Sequence, residues 1–310
     1  MELEQLRQKK QQVQRSKKLM KKVLVTGENG YIGTKFKEWI QSSNNNEIEL
    51  KYISVRGENW RDIDFNGYDA ILHLAGIAHV SRNPKFKEMY YQINRDLTIN
   101  LAEKAKKENV KQFIFMSSII IYGLDNKIGE YSVIDENTVP IPADFYGDSK
   151  LQADLKIQSM NSEDFKTSVI RTPVVYGPGC KGNFKKLIKL AKITPVFFDL
   201  DNKRSMIYID NLNCLIEQII LNEKVGVFYP QNTEYVSTKE IIEVVAKHSG
   251  HKVYFSSSFN YGLKFISKKV NVINKIFGNK IYKKVLSNSD DYRVCDFETS
   301  IKNSINHSYN

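Results

Sequence analysis

Residues 22–33 read KVLVTGENGYIG. A short apolar run ends at Gly27, and glycines then recur at every third position, Gly27, Gly30 and Gly33. Helical periodicity follows in YIGTKFKEWI, residues 31–40. Each glycine has its own task. Gly27 permits the tight turn off a strand, Gly30 lets backbone N–H groups approach a pyrophosphate, and Gly33 lets the helix pack close to the sheet. The helix N-terminus adds partial positive charge for that anion. Glycines before a helix are often turn residues and nothing more. What lifts this loop above that reading is its place between the first strand and the first helix of an alternating pattern.

The alternation continues outward from the loop. IELKYISV (48–55), DAILHLAG (69–76), KQFIFMSS (111–118) and KTSVIRTPVVYG (166–177) read as strands. YYQINRDLTINLAEKAKKE (90–108) and the stretch from Tyr146 to about Met160 read as helices. Nearly continuous apolar strands alternating with helices predict an α/β fold, a doubly wound parallel sheet of the Rossmann type. Beyond Gly177 the pattern becomes irregular. NFKKLIKLAK (183–192) predicts a helix, residues 205–221 a strand and then a helix, and VGVFYP (225–230) a strand. Ser237 or Thr238 caps a further helix that ends before Gly250. The division expected is a basic tail, 1–20; a dinucleotide-binding domain, 21–176, with a returning segment near 205–230; and a smaller substrate-binding domain from 177–204 and 231–310.

Charge is unevenly spread. Residues 1–22 carry +6 and residues 262–286 carry +7 of a total of +11, which leaves the rest at −2. That distribution weakens a nucleic-acid reading based on bulk charge. No apolar run reaches membrane-span length and no signal-type apolar core opens the chain, so a cytoplasmic protein is expected. Cys180, Cys214 and Cys295 are too far apart for a zinc pattern or a disulfide framework, and no metal site is expected. Residues 262–286 mix seven lysines with apolar residues at roughly helical spacing. One or two helices of the substrate domain with solvated lysines is the plain reading; peripheral contact with anionic membrane is the sharper one.

YGDSK (146–150) sets a tyrosine and a lysine four positions apart, on one face of a helix. A tyrosine of pKa near 10 is a poor acid–base group at neutral pH, and an ammonium one turn away is expected to lower it. The helix follows the strand that ends in Ser117 and Ser118, and parallel sheets bind ligands at the carboxyl ends of their strands. Serine, tyrosine and lysine are thus expected to converge over a dinucleotide, with Ala75 and Gly76 leaving backbone free for it. At the end of the second strand, where an acid would hold an NAD ribose about 20 residues past the glycines, the chain has Arg56. An arginine suits a 2′-phosphate, so NADP(H) is favoured over NAD(H).

TGENGYIG, HLAG, YYQIN, SSIIIYG, YGDSK and RTPVVYGPG together resemble the extended short-chain dehydrogenase/reductases of the NAD(P)-dependent sugar-nucleotide epimerase/dehydratase group, from Lys22 to about Gly250. The resemblance implies Tyr146 as acid/base, Lys150 as its partner on the nicotinamide ribose, Ser118 as the group that polarises the reacting oxygen, and Asn94 as a structural residue. The cofactor set it implies is Gly27, Asn29, Gly30, Tyr31, Ile32, Gly33, Arg56, Asp62, Leu74, Ala75, Gly76, Lys150, Thr172 and Pro173. The substrate set is His79, Ser117, Asn183 and Arg204, the last two on the nucleotide diphosphate. Ile119 and Ile120 stand where 4,6-dehydratases of the group carry an Asp-Glu pair, and aliphatic side chains cannot transfer protons. GCKGNFKKLIKLA, DNKRSMIYIDNL and INKIFGNKIY are similar to bacterial polysaccharide enzymes that act on UDP-4-keto-6-deoxy-N-acetylhexosamines. Reduction of such a C4 ketone is the function expected, with a UDP-sugar as substrate and a homodimer as the assembly. A UDP-hexose or UDP-HexNAc 4-epimerase with tightly bound NAD is the alternative. A cofactor-binding regulator without catalysis is the remote one, and an intact Tyr146/Lys150 pair speaks against it.

Overall fold

The computed structural model describes residues 20–43, 46–78, 83–123, 128–258, 260, 274, 276–287 and 291–306. In chain order the elements are β1 (Lys21–Thr26), α1 (Tyr31–Ser42), β2 (Ile48–Ile53), β3 (Ala70–His73), α2, β4 (Gln112–Ser118), β5 (Val133–Ile134), α3 (Phe145–Ser159), β6 (Lys166–Thr172) and β7 (Val174–Tyr176). Then come α4 (Asn183–Ala191), β8 (Val196–Phe198), β9 (Met206–Tyr208), α5 (Ile209–Leu221), β10 (Gly226–Phe228), α6 (Thr238–His248), β11 (Tyr254–Ser256), β12 (Ile281–Tyr282) and α7 (Phe297–Asn306). Helix α2 is α-helical over Lys87–Tyr90 and Leu97–Lys107, with a π-helical turn, Tyr91–Asp96, between them.

The central sheet has six strands in the order β10-β6-β4-β3-β1-β2, every neighbouring pair parallel. The chain runs from β1 outward to β2, then returns to lay β3 on the other side of β1. The switch point therefore lies between β1 and β3, where doubly wound sheets leave a crevice at the strand ends. Alternation along each strand fills both faces. Val23 and Val25 of β1, Ile114 and Met116 of β4 and Ile170 of β6 enter one core, which also takes Phe36 of α1 and Leu212, Ile216 and Ile219 of α5. Leu24, Phe113, Phe115 and Val169 enter the other, with Leu101 and Ala105 of α2 and Ala153 and Ile157 of α3.

Two boundaries differ from the sequence expectation. The stretch 166–177, read as one strand, is split. β6 stays in the central sheet, while β7 leaves it to pair in parallel with β9. Pro173 stands between them, and a residue without an N–H cannot continue the ladder. The basic run 262–286 lies mostly outside the described residues, and its described end is not helical in the way expected: 281–282 pair with β5, and 284–286 form one tight turn. The cap of α6 follows expectation. Ser237 Oγ accepts from Glu240 N and the Glu240 carboxylate accepts from Ser237 N, a closed capping box. No helix among the described residues is long and apolar enough to cross a membrane.

Phe113 is fully buried near the start of β4, against Phe165 at 6.4 Å between ring centroids. Phe113→Ala is expected to cost about 3–5 kcal/mol of folding stability by loss of apolar burial plus a residual cavity. Urea unfolding measures it, and an unchanged midpoint would contradict this account of the core.

Candidate active site

The glycine loop closes on the end of β3. Gly27 has φ +86°, and a Cβ there would come within 2.8 Å of Ala75 N. The two loops that flank the switch point thus touch backbone to backbone. A Cβ on Gly33 would run into the Gly27 carbonyl oxygen, so helix α1 can start this close to β1 only without a side chain at that position. Gly30 N donates to Gly27 O at 3.0 Å and caps α1 with no side-chain acceptor, leaving the first helical amides available. On the far side, a Cβ on Gly76 would stand 3.0 Å from Asn94 Oδ1 and 3.3 Å from Lys150 Nζ. Bare backbone, a helix N-terminus and a buried cation meet at the switch point, and these residues fit a dinucleotide.

A chain of hydrogen bonds ties this crevice to α2 and α3. Ala75 N donates to Thr26 Oγ1 at 3.2 Å, and Thr26 Oγ1 lies 2.8 Å from His73 Nδ1. His73 Nε2 lies 2.9 Å from Thr98 Oγ1, which donates to Asn94 O at 2.9 Å. Because Thr98 spends its proton on Asn94, the ring must donate through Nε2–H and accept from Thr26 at Nδ1. Burial pushes the imidazole down to about 3, with the charge of Lys150 adding to the effect, so His73 stays neutral. Asn94 sits in the π-helical turn, a distortion common at functional sites. Its amide accepts from Ile77 N at 2.9 Å and donates to Ile77 O at 3.0 Å and Ser149 Oγ at 3.3 Å; Ser149 in turn donates to Tyr146 O at 2.9 Å.

Asp144 caps α3 by accepting from Gly147 N at 2.9 Å, and the first turn presents Tyr146. Tyr146 shares a side-chain hydrogen bond with Ser118 and packs on Tyr90, ring centroids 5.8 Å apart. Lys150 Nζ donates to Met116 O at 3.0 Å and lies 4.7 Å from the Phe115 ring centre. Ser118, Tyr146, Lys150 and Gly76 are therefore brought together, as the sequence led one to expect. The electrostatics differ from expectation. Burial pushes the Tyr146 phenol up to about 12, Tyr90 and Asp144 add to the rise, and only the hydrogen bond with Ser118 opposes it. The predicted lowering by Lys150 is absent because that ammonium is turned to the Met116 carbonyl. Lys150 is itself pushed down to about 8 by burial, against the pull of Asp154.

Ser117 is a correction. Neighbours on a strand face opposite ways, so Ser117 points away from Ser118. It is 2% exposed and donates to Asp154 Oδ2 at 2.6 Å, which leaves it no part in holding a substrate. Sequence reasoning missed its partners. Asp154, one turn beyond Lys150, is fully buried and held by Arg171 through Nη2–Oδ1 at 2.7 Å and Nε–Oδ2 at 3.0 Å. Arg171 also donates to Tyr122 Oη at 2.7 Å and Tyr229 Oη at 3.0 Å. The signal was present: an arginine inside a strand read as part of a sheet covered on both faces, and an acid at positions 4 and 8 beyond Lys150 and Tyr146 on one helix face.

The other expected residues fall in several places. Arg56 is exposed just past the end of β2, and Asp62 is exposed in a short 3₁₀ turn, Asn59–Asp62. Asn29 is exposed in the glycine loop. Tyr31 and Ile32 open α1; the Tyr31 hydroxyl is buried without a hydrogen-bond partner among the described residues, and burial pushes its phenol well above the usual range. Leu74 N donates to Thr26 O at 3.2 Å. The Thr172 hydroxyl donates to Ser117 O at 3.1 Å, and Pro173 is buried after it. Asn183 is the first residue of α4. Arg204 is buried and bonded through its backbone to Val236 on both sides, with Lys280 alongside. His79 lies outside the described residues.

The fold and site define a doubly wound α/β protein with a dinucleotide crevice and a Tyr-x-x-x-Lys helix beside it. Residues 23–227 match the NAD dependent epimerase/dehydratase family, and the chain belongs to that family, whose members bind nicotinamide cofactors. It is 29% identical over 252 residues to the UDP-glucose 4-epimerase of Vibrio cholerae, covering 74% of this chain and 76% of that protein. It is 29% identical over 222 residues to an Escherichia coli O157:H7 N-acetyl-alpha-D-glucosaminyl-diphospho-ditrans,octacis-undecaprenol 4-epimerase, covering 66% of this chain and 64% of the relative, just under two thirds of it. Among solved structures, RMD from Pseudomonas aeruginosa complexed with NADPH superposes with a TM-score of 0.71 at 16% identity, over 94% of this chain and all of that one; this shows the fold alone.

A lysine with a lowered pKa has a signed consequence. Between about pH 8 and the unfolded-chain value near 10.4, the unfolded state holds a proton on Lys150 that the folded state has lost. Folding stability therefore rises with pH across that window. The stability of the wild type relative to Lys150→Met is expected to rise from pH 8 toward pH 10 in denaturant titrations. A difference independent of pH would contradict the burial of this ammonium.

Proposed function

We propose that this chain reduces the C4 ketone of a UDP-4-keto-6-deoxy-N-acetylhexosamine with NADPH, in bacterial surface-polysaccharide biosynthesis. One observation carries the reading: Ser118, Tyr146 and Lys150 converge beside the bare backbone of Gly76 at the sheet's switch point. When bound, the nicotinamide supplies the hydride. The chain supplies the rest. The first amides of α1 and Gly27, Gly30 and Gly33 would hold the pyrophosphate. Lys150 would hold the nicotinamide ribose. Ser118 would orient the ketone oxygen, and Tyr146 would give it a proton. With its phenol pushed up to about 12 by burial, Tyr146 holds its proton at neutral pH. Asn183, at a helix N-terminus, and Arg204 suit the substrate diphosphate.

Arg56 supports NADP(H). It is exposed at the end of β2, where no acid stands to select a 2′-hydroxyl. Its guanidinium would pair with the 2′-phosphate. NAD(H) is the alternative cofactor. 4-Epimerisation of a UDP-hexose or UDP-HexNAc is the second reading, and what favours it is that both curated relatives described above carry 4-epimerase names.

Incubation with the 4-keto sugar nucleotide and NADPH is expected to consume the near-ultraviolet absorbance of the reduced cofactor. Tyr146→Phe should slow this by about 10²–10⁴-fold. Interconversion of UDP-glucose and UDP-galactose without net cofactor consumption would replace the reductase reading with the epimerase one. Arg56→Ala is expected to raise KM for NADPH by roughly tenfold, the scale of one lost charge-assisted contact, and to leave NADH kinetics nearly unchanged. Equal effects on both cofactors would remove the argument for NADP(H).

A further inference from the structure

The run 262–286 holds seven lysines, yet two of its described lysines, Lys280 and Lys284, turn inward. Lys280 is 3% exposed and donates to the Gly123 carbonyl. Lys284 donates to the carbonyls of Asn232, at 3.1 Å, and Thr233, and lies 4.2 Å from the Tyr235 ring centre. Lys283 reaches Glu136 at 3.5 Å. Outward-facing charge and apolar surface occur together elsewhere, around α4.

Helix α4 buries Phe184, Leu187, Ile188 and Ala191, which leaves Lys185, Lys186, Lys189 and Leu190 on its outer face. Residues 181–196 contain five lysines and no acidic residue. The turn that ends the helix is fixed by Ile193 N and Thr194 N donating to Leu190 O at 3.1 and 3.0 Å, and it leaves Ile193 79% exposed. Strand β8 follows and pairs in parallel with β11, Val196 in register with Tyr254, and Tyr254 N donates to Pro195 O at 2.9 Å. In-register neighbours on parallel strands share a face. Here that face is turned outward, with Val196 45% and Tyr254 69% exposed, while the next residue, Phe197, is buried. Leu190, Ile193, Val196 and Tyr254 thus make a continuous outward ridge, bordered by exposed lysines.

Single exposed apolar residues are ordinary; a continuous ridge beside a helix whose outer face is lysine is not. Its composition indicates the occupant. Protein interfaces favour arginine and are depleted in lysine, and the helix and turn that border the ridge, residues 181–196, carry five lysines, no arginine and no acid. A second copy of the chain would set one lysine-rich face against another, a like-charge arrangement that disfavours association. Lysines whose flexible stems keep the ammonium at headgroup level, beside aliphatic side chains and a tyrosine, suit the boundary between water and anionic lipid. We propose that the ridge formed by α4, the turn at Ile193 and the edge pair Val196/Tyr254 docks this chain on an anionic membrane surface. The proposal does not depend on which sugar or cofactor the active site takes.

The test uses the full chain and phosphatidylcholine vesicles with or without phosphatidylglycerol. Co-sedimentation with the anionic vesicles only, weakened by added salt, is expected. Ile193→Ser/Tyr254→Ser and Lys185→Glu/Lys186→Glu/Lys189→Glu should each lower the vesicle partition coefficient by about tenfold or more, since each removes several surface contacts. The thermal midpoints of both variants, measured in parallel, should stay near wild type because every replaced side chain is exposed; if the apolar variant unfolds, the lysine variant alone decides. No vesicle binding, or binding that both variants retain, overturns the proposal. So does light scattering that shows the apolar variant splitting a dimer while vesicle binding is unchanged, because the ridge would then lie between copies.

Discussion

Two backbones meet at the switch point of the sheet, and the crevice is built around that meeting. Gly27 and Ala75 approach so nearly that a single Cβ would stand 2.8 Å from an amide nitrogen. That approach brings the ends of β1 and β3 together, sets α1 close to the sheet and opens its N-terminus toward the crevice. The sheet order follows from local rules of parallel pairing and crossover, but the shape of the crevice follows from what is missing, the side chains at Gly27, Gly33 and Gly76.

Around that contact, polar groups are buried as one connected system. Thr26, His73, Thr98, Asn94 and Ser149 link the first strand to the Tyr146 helix without leaving the interior. Burial explains the neutral state of His73 and the resistance of Tyr146 to ionisation, since a low-dielectric site penalises every charged form. The same penalty acts on Lys150, which keeps a carbonyl as its hydrogen-bond partner. One helical turn on, the Asp154/Arg171 pair is buried, and both carboxylate oxygens are engaged. A buried pair of this kind is weak as a source of stability, but losing one partner is costly, so it holds α3 and β6 in one relative position. Ser117 is drawn into that pair while Ser118 faces the crevice. A one-residue alternation on a strand separates a packing serine from one available to a substrate.

The sequence by itself carried the fold class, because strand and helix periodicities alternate and the glycine spacing needs a strand before it and a helix after it. It carried Ser118, Tyr146 and Lys150 as a group, because strand ends and the following helix start lie on one edge of a parallel sheet whatever the details. It did not carry the break at Pro173 into two sheets as a separate feature, although the missing N–H was visible. It also did not carry the direction in which Lys150 points or the protonation preference of Tyr146. Those depend on the Met116 carbonyl and on how much water is removed, both set by residues distant in the chain. The split roles of Ser117 and Ser118, the Asp154/Arg171 pair and the inward turn of Lys280 and Lys284 were likewise decided only by tertiary packing. Local spacing fixes which side chains share a face, but only the assembled interior determines which charges lose their solvent and which partner takes its place.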